Sequence, residues 1–212
     1  MRCGVLSAAA FCLGTSALAT PVLAAVIDYP NGSDNAAPIV LTDNTTQLQV
    51  LTGSATQSGV ISETGGSWRL EKTGTGKLIL SSANSYTGGT TISGGVLQIG
   101  DTGAVGSGSI ALNGALRSTV SGTLANAITL ADGSTGTISA ATGQSITFSG
   151  TLALGSSAHL VLGSAADNGT LNFNLSNVTS VYPRFVEIAG GTVTDVNSHL
   201  AICLVLALPR PQ

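Results

Sequence analysis

The chain has 212 residues, which is enough for one domain and an export leader. Hydrophobic residues make up 43% of it and charged residues 8%, so the chain is too apolar to be intrinsically disordered. The net charge of −3 and the absence of a cluster of Lys and Arg argue against a nucleic-acid partner.

The N-terminal segment, positions 1–24, has the pattern of a secretory signal peptide. Arg2 gives a positive start, an apolar run of small residues extends from Val5 to Leu18, and Val22-Leu23-Ala24 offers small residues to a signal peptidase. Cleavage is expected after residue 24 or 25. An uncleaved membrane anchor is the alternative, and Pro21 argues against it because proline breaks a helix.

Residues 25–47 are expected to form an N-terminal linker or cap. They are rich in the turn formers Asp, Asn, Pro and Gly, with Ile39-Val40-Leu41 as a candidate first strand. A stacked β-protein needs such a cap because its first coil has an unpaired edge. Regular strands are predicted from Leu48 onward, and Trp68 is expected to pack in the core or at the cap.

The stretch from Leu70 to Gly100 contains short apolar runs separated by Gly, Ser, Thr and Asn. Aliphatic and β-branched residues favour strands, while Gly and Asn permit the turns between them. The pattern resembles the autotransporter-associated β-strand repeat of bacterial type V secretion passengers. The matching residues are Leu70, Lys72, Gly74, Gly76, Lys77, Leu78, Leu80, Asn84, Tyr86, Thr87, Gly88, Gly89, Thr90, Thr91, Gly94, Gly95, Leu97 and Gly100.

This resemblance implies an all-β fold, a right-handed parallel β-helix (β-solenoid) with short strands. The spacing of the repeated strands after Gly100 sets the expected coil length at about 18–20 residues. It further implies that residues 48–190 form a passenger of a Gram-negative bacterium that is surface-exposed, outer membrane-associated or secreted. In that family the repeat is associated with export and folding across the outer membrane, and not with a catalytic step.

The region after Gly100 repeats a strand pattern at a fixed interval. The apolar pairs Ile110/Leu112, Ile128/Leu130 and Ile146/Phe148 are equally spaced along the chain, with the two members of each pair on one side of a strand. This period predicts coils stacked on one another, with the three isoleucines in one inward ladder. A β-sandwich is the structural alternative. The last strand is expected at Phe185–Ile188.

Residues 191–212 form an apolar tail, in which the run 200–208 is too short to cross a bilayer as a helix. One more strand or a hydrophobic stub is expected here. An autotransporter ends in a translocator barrel, and the sequence contains no segment for one. The reading frame is therefore expected to be truncated or shifted, or the passenger to depend on another route.

No catalytic, cofactor-binding or metal-binding residue is predicted. Gly74-Thr75-Gly76-Lys77 resembles part of a P-loop but lacks its first glycine and its Ser or Thr, and a turn explains it better. His159 and His199 lie too far apart for a metal-ligand pattern, and His159 is expected on the outer surface.

Three carboxylates, those of Asp101, Asp132 and Asp167, are expected to cap turns at coil corners. A stacked carboxylate pair with a basic residue would suit a β-helix polysaccharide lyase, and Arg117 is the basic residue available in residues 109–175.

The function expected from these observations is that of a non-catalytic, structural passenger fragment whose partner is an outer-membrane translocator barrel. An adhesin that binds host or neighbouring-cell glycans is the alternative, and a polysaccharide lyase is the third candidate. No cofactor is expected.

Overall fold

The computed structural model describes residues 25–174, 178–180, 185–195 and 204–206. All regular secondary structure in these residues is β-strand. None of the described segments forms an apolar helix of membrane-spanning length. The predicted signal peptide and His199 lie outside the described residues.

The strands are short, most of them three or four residues long. Their bounds, in chain order, are β1 (Val26–Asp28), β2 (Asp34–Asn35), β3 (Ile39–Leu41), β4 (Gln47–Gln49), β5 (Ser54–Gln57), β6 (Ile61–Glu63), β7 (Leu70–Thr73), β8 (Lys77–Leu80), β9 (Thr90–Ile92), β10 (Val96–Ile99), β11 (Ile110–Leu112), β12 (Ala115–Ser118), β13 (Gly122–Leu124), β14 (Ile128–Leu130), β15 (Thr135–Ala140), β16 (Ser145–Phe148), β17 (Leu152–Leu154), β18 (His159–Leu162), β19 (Thr170–Phe173), β20 (Val178–Ser180), β21 (Phe185–Ile188), β22 (Thr192–Asp195) and β23 (Leu204–Leu206).

Successive strands follow three faces of a coil. The first face is an eight-stranded sheet in the order β1-β4-β7-β9-β11-β14-β17-β20, and the second is a nine-stranded sheet in the order β2-β5-β8-β10-β12-β15-β18-β21-β23. The third face is divided into β3-β6 and β13-β16-β19-β22. Eight strands leave seven steps of about 4.8 Å, so this stack is on the order of 35 Å long.

Every strand pair in the described residues is parallel. A β-sandwich is built from antiparallel sheets, so the pairing excludes that alternative. The predicted parallel β-solenoid is confirmed.

Side chains that point into the coil form continuous ladders. On the second face the inward ladder runs in register through Ala55, Leu78, Leu97, Leu116, Ile138 and Leu162. None of these is more than 5% exposed. Burying one Leu or Ile stabilises a fold by about 1.5–3 kcal/mol, and each of these side chains is covered by neighbouring coils. A single coil could not bury them.

The predicted period holds only for the central coils. On the first face Leu70 pairs with Thr90, Thr90 with Ile110 and Ile110 with Ile128, so the spacing between stacked residues stays within the predicted range. Ile128 then pairs with Leu152, which is a longer step than any of these three. The coils on both sides of the central region are longer because their corners contain more residues.

The prediction that Ile146 continues the ladder of Ile110 and Ile128 is wrong. Ile146 belongs to β16 on the third face, where it pairs with Gly122 and Leu171. All three isoleucines are buried. Inward and outward residues alternate in the same way in the strands of every face. The repeat of the apolar pattern at Ile146 therefore marks a strand of another face and not the same face of the next coil.

At the N-terminal end, β1 to β3 pair with β4 to β6 of the next coil. The boundary between cap and passenger stays a prediction. At the other end, the expectation that Phe185–Ile188 is the last strand is wrong, because β22 and β23 follow it. β23 lies within the apolar run 200–208 and pairs with β21.

The third face is interrupted between β6 and β13. In the two intervening coils, residues 81–89 and residues 100–109 occupy the position of a third strand. We call them the lower loop and the upper loop. Backbone groups that leave a sheet must find other partners, and the side chains described below provide them.

Candidate functional site

The lower loop is connected to the coils on both sides of it by its backbone. Ser85 N donates to Ile61 O at 3.0 Å, and Asn84 N donates to Gly103 O of the upper loop at 3.0 Å. These bonds follow the stacking direction of the solenoid although the loop is not a strand. The corner therefore keeps the register of the flanking coils.

The side chain of Asn84 bridges three coils. Its Oδ1 accepts a hydrogen bond from Ile61 N at 2.7 Å, and its Nδ2 donates to Ala104 O at 2.5 Å. A side-chain amide donates and accepts through two separate atoms, whereas an ionised carboxylate of the same size can only accept. Asn84 thus replaces bonds that a third strand would have made.

Replacing Asn84 by alanine is expected to lower the free energy of unfolding by about 1–3 kcal/mol, because Ile61 N and Ala104 O both lose their partner. The measurement is urea denaturation of the whole chain. Asn113→Ala is the control, since Asn113 is exposed and its side chain makes no hydrogen bond in the described chain. Equal midpoints for the two variants would contradict the bridging role.

Tyr86 fills the inside of the same corner and is fully buried. Thr90 Oγ1 donates to Val105 O at 3.0 Å, so its single proton is used. Tyr86 Oη must then be the donor in its 2.7 Å bond to Thr90 Oγ1. Burial raises the pKa of Tyr86 well above its ordinary value of 10.0, and the phenol stays protonated as this bond requires.

The upper loop can approach Tyr86 only because residue 106 is glycine. Gly106 has a φ of 64°, and a Cβ there would lie 2.3 Å from Tyr86 O. Both the backbone conformation and the available space exclude a larger residue.

Lys72 is a buried cation in an aliphatic ladder. It pairs with Leu48 below and Ile92 above, and it is 1% exposed. Its Nζ donates to three carbonyl oxygens at a coil corner, those of Thr73 at 2.8 Å, Gly74 at 2.9 Å and Gly94 at 3.1 Å. The ammonium thereby joins the turn of its own coil to that of the next.

The protonation of Lys72 is expected to make stability depend on pH. Burial lowers the pKa of Lys72 from 10.5 to about 8. Above about pH 8 the unfolded chain therefore binds more protons than the folded chain, and the free energy of unfolding should rise with pH towards 10.

Urea denaturation across that range measures this rise, and Lys72→Met should remove it. Above about pH 10 a separate loss is expected in both proteins, because burial raises the pKa of Tyr29 and Tyr86 above 10.0. An unchanged pH slope in Lys72→Met would contradict the assignment.

Trp68 lies at the entrance to β7, partly buried against the core. Its backbone N donates to Glu63 Oε2 at 2.8 Å, and its Nε1 donates to Thr64 O at 2.7 Å. The other oxygen of Glu63 accepts from Thr87 Oγ1 of the lower loop at 2.7 Å. The indole thus packs against the core as expected and contributes to the same corner.

Arg117 and Asp167 form a bidentate ion pair outside the second face. Arg117 Nη2 lies 2.6 Å from Asp167 Oδ1, and Arg117 Nε lies 3.0 Å from both carboxylate oxygens. Ser139 Oγ donates to Asp167 Oδ2 at 3.1 Å, and Gln98 Oε1 accepts from Arg117 Nη1 at 2.8 Å. The hydrogen bonds from Arg117 lower the pKa of the Asp167 carboxyl and raise the pKa of the guanidinium.

The expected turn-capping role is confirmed for two of the three aspartates. Asp101 Oδ1 accepts from Gly103 N at 2.7 Å, and Asp132 Oδ1 accepts from the backbone N of Ser156. For Asp167 the prediction was incomplete, since its carboxylate binds Arg117. Arg117, the basic residue considered for a lyase, therefore lies in an ion pair with this carboxylate.

His159 faces outward as expected, with its Nε2 3.3 Å from Glu187 Oε2. Gly74-Thr75-Gly76 forms the turn between β7 and β8, as the turn interpretation of the P-loop-like fragment predicted. No three His, Cys, Asp or Glu side chains lie close enough to hold a metal ion in the part of the chain that the structure describes.

Lys72, Asn84 and Tyr86 match the autotransporter-associated repeat, but the sequence alone does not predict what their side chains do. One signal was present: strand alternation from the apolar Leu70 places Lys72 on the inward side. No local pattern indicated that Arg117 and Asp167, 50 residues apart, would meet.

The comparisons agree with this description. Residues 70–99 match the family Passenger-associated-transport-repeat. The chain is also 34% identical, over 142 residues, to the Adhesin BmaC autotransporter of Brucella suis biovar 1 (strain 1330). That alignment covers 67% of this chain and 4% of the relative, so the chain spans only a small part of that protein's length. No solved structure matches the chain.

The match spans β7 to β10 together with the lower loop, the segment whose side chains hold the central corner. Residues 70–99 are therefore an autotransporter passenger repeat, built into a parallel β-solenoid.

Proposed function

We propose that this chain is part of the exported passenger of a Gram-negative autotransporter, where it serves as a non-catalytic, surface-exposed or secreted β-solenoid rod. The repeat at residues 70–99 helps the passenger to fold as it crosses the outer membrane, and the partner in export is a translocator barrel. The match to the passenger repeat carries this proposal. The similarity to an autotransporter adhesin supports it.

The central corner suggests how the repeat would aid folding. A solenoid can nucleate at one coil and then add neighbours, because each coil contacts only the coils beside it. Asn84, Tyr86 and Lys72 connect adjacent coils through side-chain hydrogen bonds as well as through apolar burial. A coil with these extra bonds is a suitable nucleus for a chain that emerges from a pore.

The test is display of the whole chain, with its own leader, joined to an autotransporter barrel in a Gram-negative host. Tyr86→Ala should slow the appearance of protease-resistant passenger outside the cell. Phe173→Ala, which removes a buried aromatic ring from β19 outside the repeat, is the matched control for loss of core volume. Equal slowing by both variants at equal loss of stability would refute a special role for the repeat in export.

Adhesion to neutral glycans is the second candidate function. The relative is named an adhesin, and a shallow groove runs along the outer side of the first face. Its floor contains Thr91, Ala111, Thr129 and Ala153, and none of the described residues that line it is charged. Hydroxyl groups and small apolar side chains suit a neutral, extended ligand better than an anionic one.

A glycan array probed with the whole chain tests this function. Thr129→Arg should abolish binding because the new side chain would fill the groove, whereas Thr147→Arg, on the third face, should leave binding intact. If no neutral glycan binds, or if both variants behave alike, the adhesion proposal fails while the passenger proposal stands.

A further inference from the structure

Two Asn-x-Ser/Thr sequences occur at corners of the first coils. They are Asn31-Gly32-Ser33 and Asn44-Thr45-Thr46, and neither has proline in the middle position. This sequence is the acceptor for asparagine-linked sugars in exported proteins. Both asparagines are exposed.

The fold fixes the orientation of both side-chain amides. Asn31 Oδ1 accepts from Ser54 N at 2.9 Å, and Asn44 Oδ1 accepts from Arg69 N at 2.8 Å. A backbone N–H can only donate, so the oxygen of each amide must face the chain. The Nδ2 atoms of both asparagines have no hydrogen-bond partner in the described chain, and a substituent on Nδ2 would leave both bonds in place.

Unlike the exposed asparagines, the hydroxyl groups of the two acceptor sequences lie inside the fold. Ser33 Oγ is buried and has no hydrogen-bond partner among the described residues, and Thr46 is 7% exposed. An unpaired buried hydroxyl destabilises a folded protein, and alanine at position 33 would avoid that loss. A role in the acceptor sequence explains why a hydroxyl group is present at position 33. Because that hydroxyl is buried in the folded chain, a glycosyltransferase could reach it only before the coil forms.

We propose that Asn31 and Asn44 accept N-linked sugars on the unfolded chain and that folding then leaves each sugar outside the solenoid. Nδ2 attacks C1 of a sugar activated by a diphosphate. The C1–N bond forms, the C1–O bond breaks, the diphosphate leaves with the bonding electrons, and the proton lost from Nδ2 passes to a base of the transferring enzyme. This goes beyond the proposed function and holds whether the rod is a spacer or an adhesin.

The same acceptor sequence also begins at Asn168, Asn174 and Asn177. Asn168 is exposed, but its side-chain oxygen accepts no hydrogen bond in the described chain. Asn174 is only half-exposed, and Asn177 lies outside the described residues. On the unfolded chain these three asparagines present the same acceptor sequence to the enzyme, but an amide fixed by its oxygen with Nδ2 left over is seen in the described chain only at Asn31 and Asn44.

Peptide mass mapping of the chain recovered from the cells that make it is the first test. Sugar-bearing peptides are expected at Asn31 and Asn44 and not at Asn113, which is exposed but followed by Gly114-Ala115. Ser33→Ala keeps Asn31 and should lose the sugar at that site alone. Unmodified peptides at both sites, or an undiminished sugar in Ser33→Ala, would overturn the proposal.

The order of events is tested with the purified chain, a soluble asparagine glycosyltransferase and a nucleotide-diphosphate hexose. The urea-unfolded chain, after dilution into the reaction, should gain hexose at Asn31 and Asn44, and the folded chain should gain none at these two positions. The modified chain should refold with the denaturation midpoint of the unmodified chain. Equal modification of the folded chain, or failure of the modified chain to refold, would refute the proposed order and the outward placement.

Discussion

Replacing Tyr86 by alanine is expected to lower the free energy of unfolding by about 3–5 kcal/mol, the range for removing a large buried aromatic side chain. Two losses combine in this variant. The corner between the lower and upper loops loses the ring that fills it, and Thr90 Oγ1 loses its donor. No strand of the third face is present there to compensate. Urea denaturation followed by far-ultraviolet circular dichroism measures the change.

Tyr86→Phe separates the two losses. It keeps the ring and removes only the hydrogen bond to Thr90, so about 0.5–1.5 kcal/mol should be lost. Leu51→Ala is the exposed control and should change stability by less than about 0.5 kcal/mol. If Tyr86→Ala costs no more than Leu51→Ala, the corner is not held by Tyr86.

The type of fold could be predicted because its signals are local. Inward and outward residues alternate within three or four residues, as in the Lys77–Leu80 strand, and glycine-rich turns separate the strands. Stacking then follows, since an isolated coil cannot bury its apolar side chains. The motif from residue 70 to 100 also predicted the family, that of autotransporter passenger repeats, and the family match at residues 70–99 agrees with that prediction.

The arrangement of faces could not be read in the same way. Ile128 and Ile146 have the same local pattern but stand on different faces, because the corner lengths decide which face a strand joins. Which residues form a corner and which form a strand depends on hydrogen bonds between coils, such as the bond from Ser149 N to Leu124 O. Sequence spacing records the number of residues in a corner but not their partners.

Charged residues were the other limit of sequence reasoning. Lysine is rarely buried in proteins, yet three carbonyl oxygens make the interior acceptable to Lys72. The Arg117–Asp167 pair depends on the loop at residues 163–169, which carries Asp167 over the outer side of the second face. Contacts of this kind follow from the completed coil and not from any short segment.

Asp167→Ala is expected to lower the free energy of unfolding by about 3 kcal/mol, the lower end of the range for removing one partner of a buried ion pair. The lower end applies because the Asp167 side chain is 9% exposed whereas that of Arg117 is 28% exposed, so water reaches part of the guanidinium. Thermal and urea denaturation at neutral pH measure the loss. Asp132→Ala is the control, since that carboxylate is exposed and caps only a turn, and a clearly smaller loss is expected there.

Acid should reproduce the loss in the unchanged protein. Hydrogen bonds from Arg117 lower the pKa of Asp167 below 3.8, so the stabilisation by this pair is fully present above that pH and disappears as the pH falls through the lower folded value. The double variant Arg117→Met/Asp167→Ala should recover part of the stability lost in Asp167→Ala, because it no longer leaves a half-buried guanidinium without its carboxylate. If the loss in the double variant instead equals the sum of the losses in Arg117→Met and Asp167→Ala, the two side chains do not interact energetically. The ion pair would then contribute nothing to holding the coils from Gln98 to Asp167 together, and their apolar ladders alone would be sufficient.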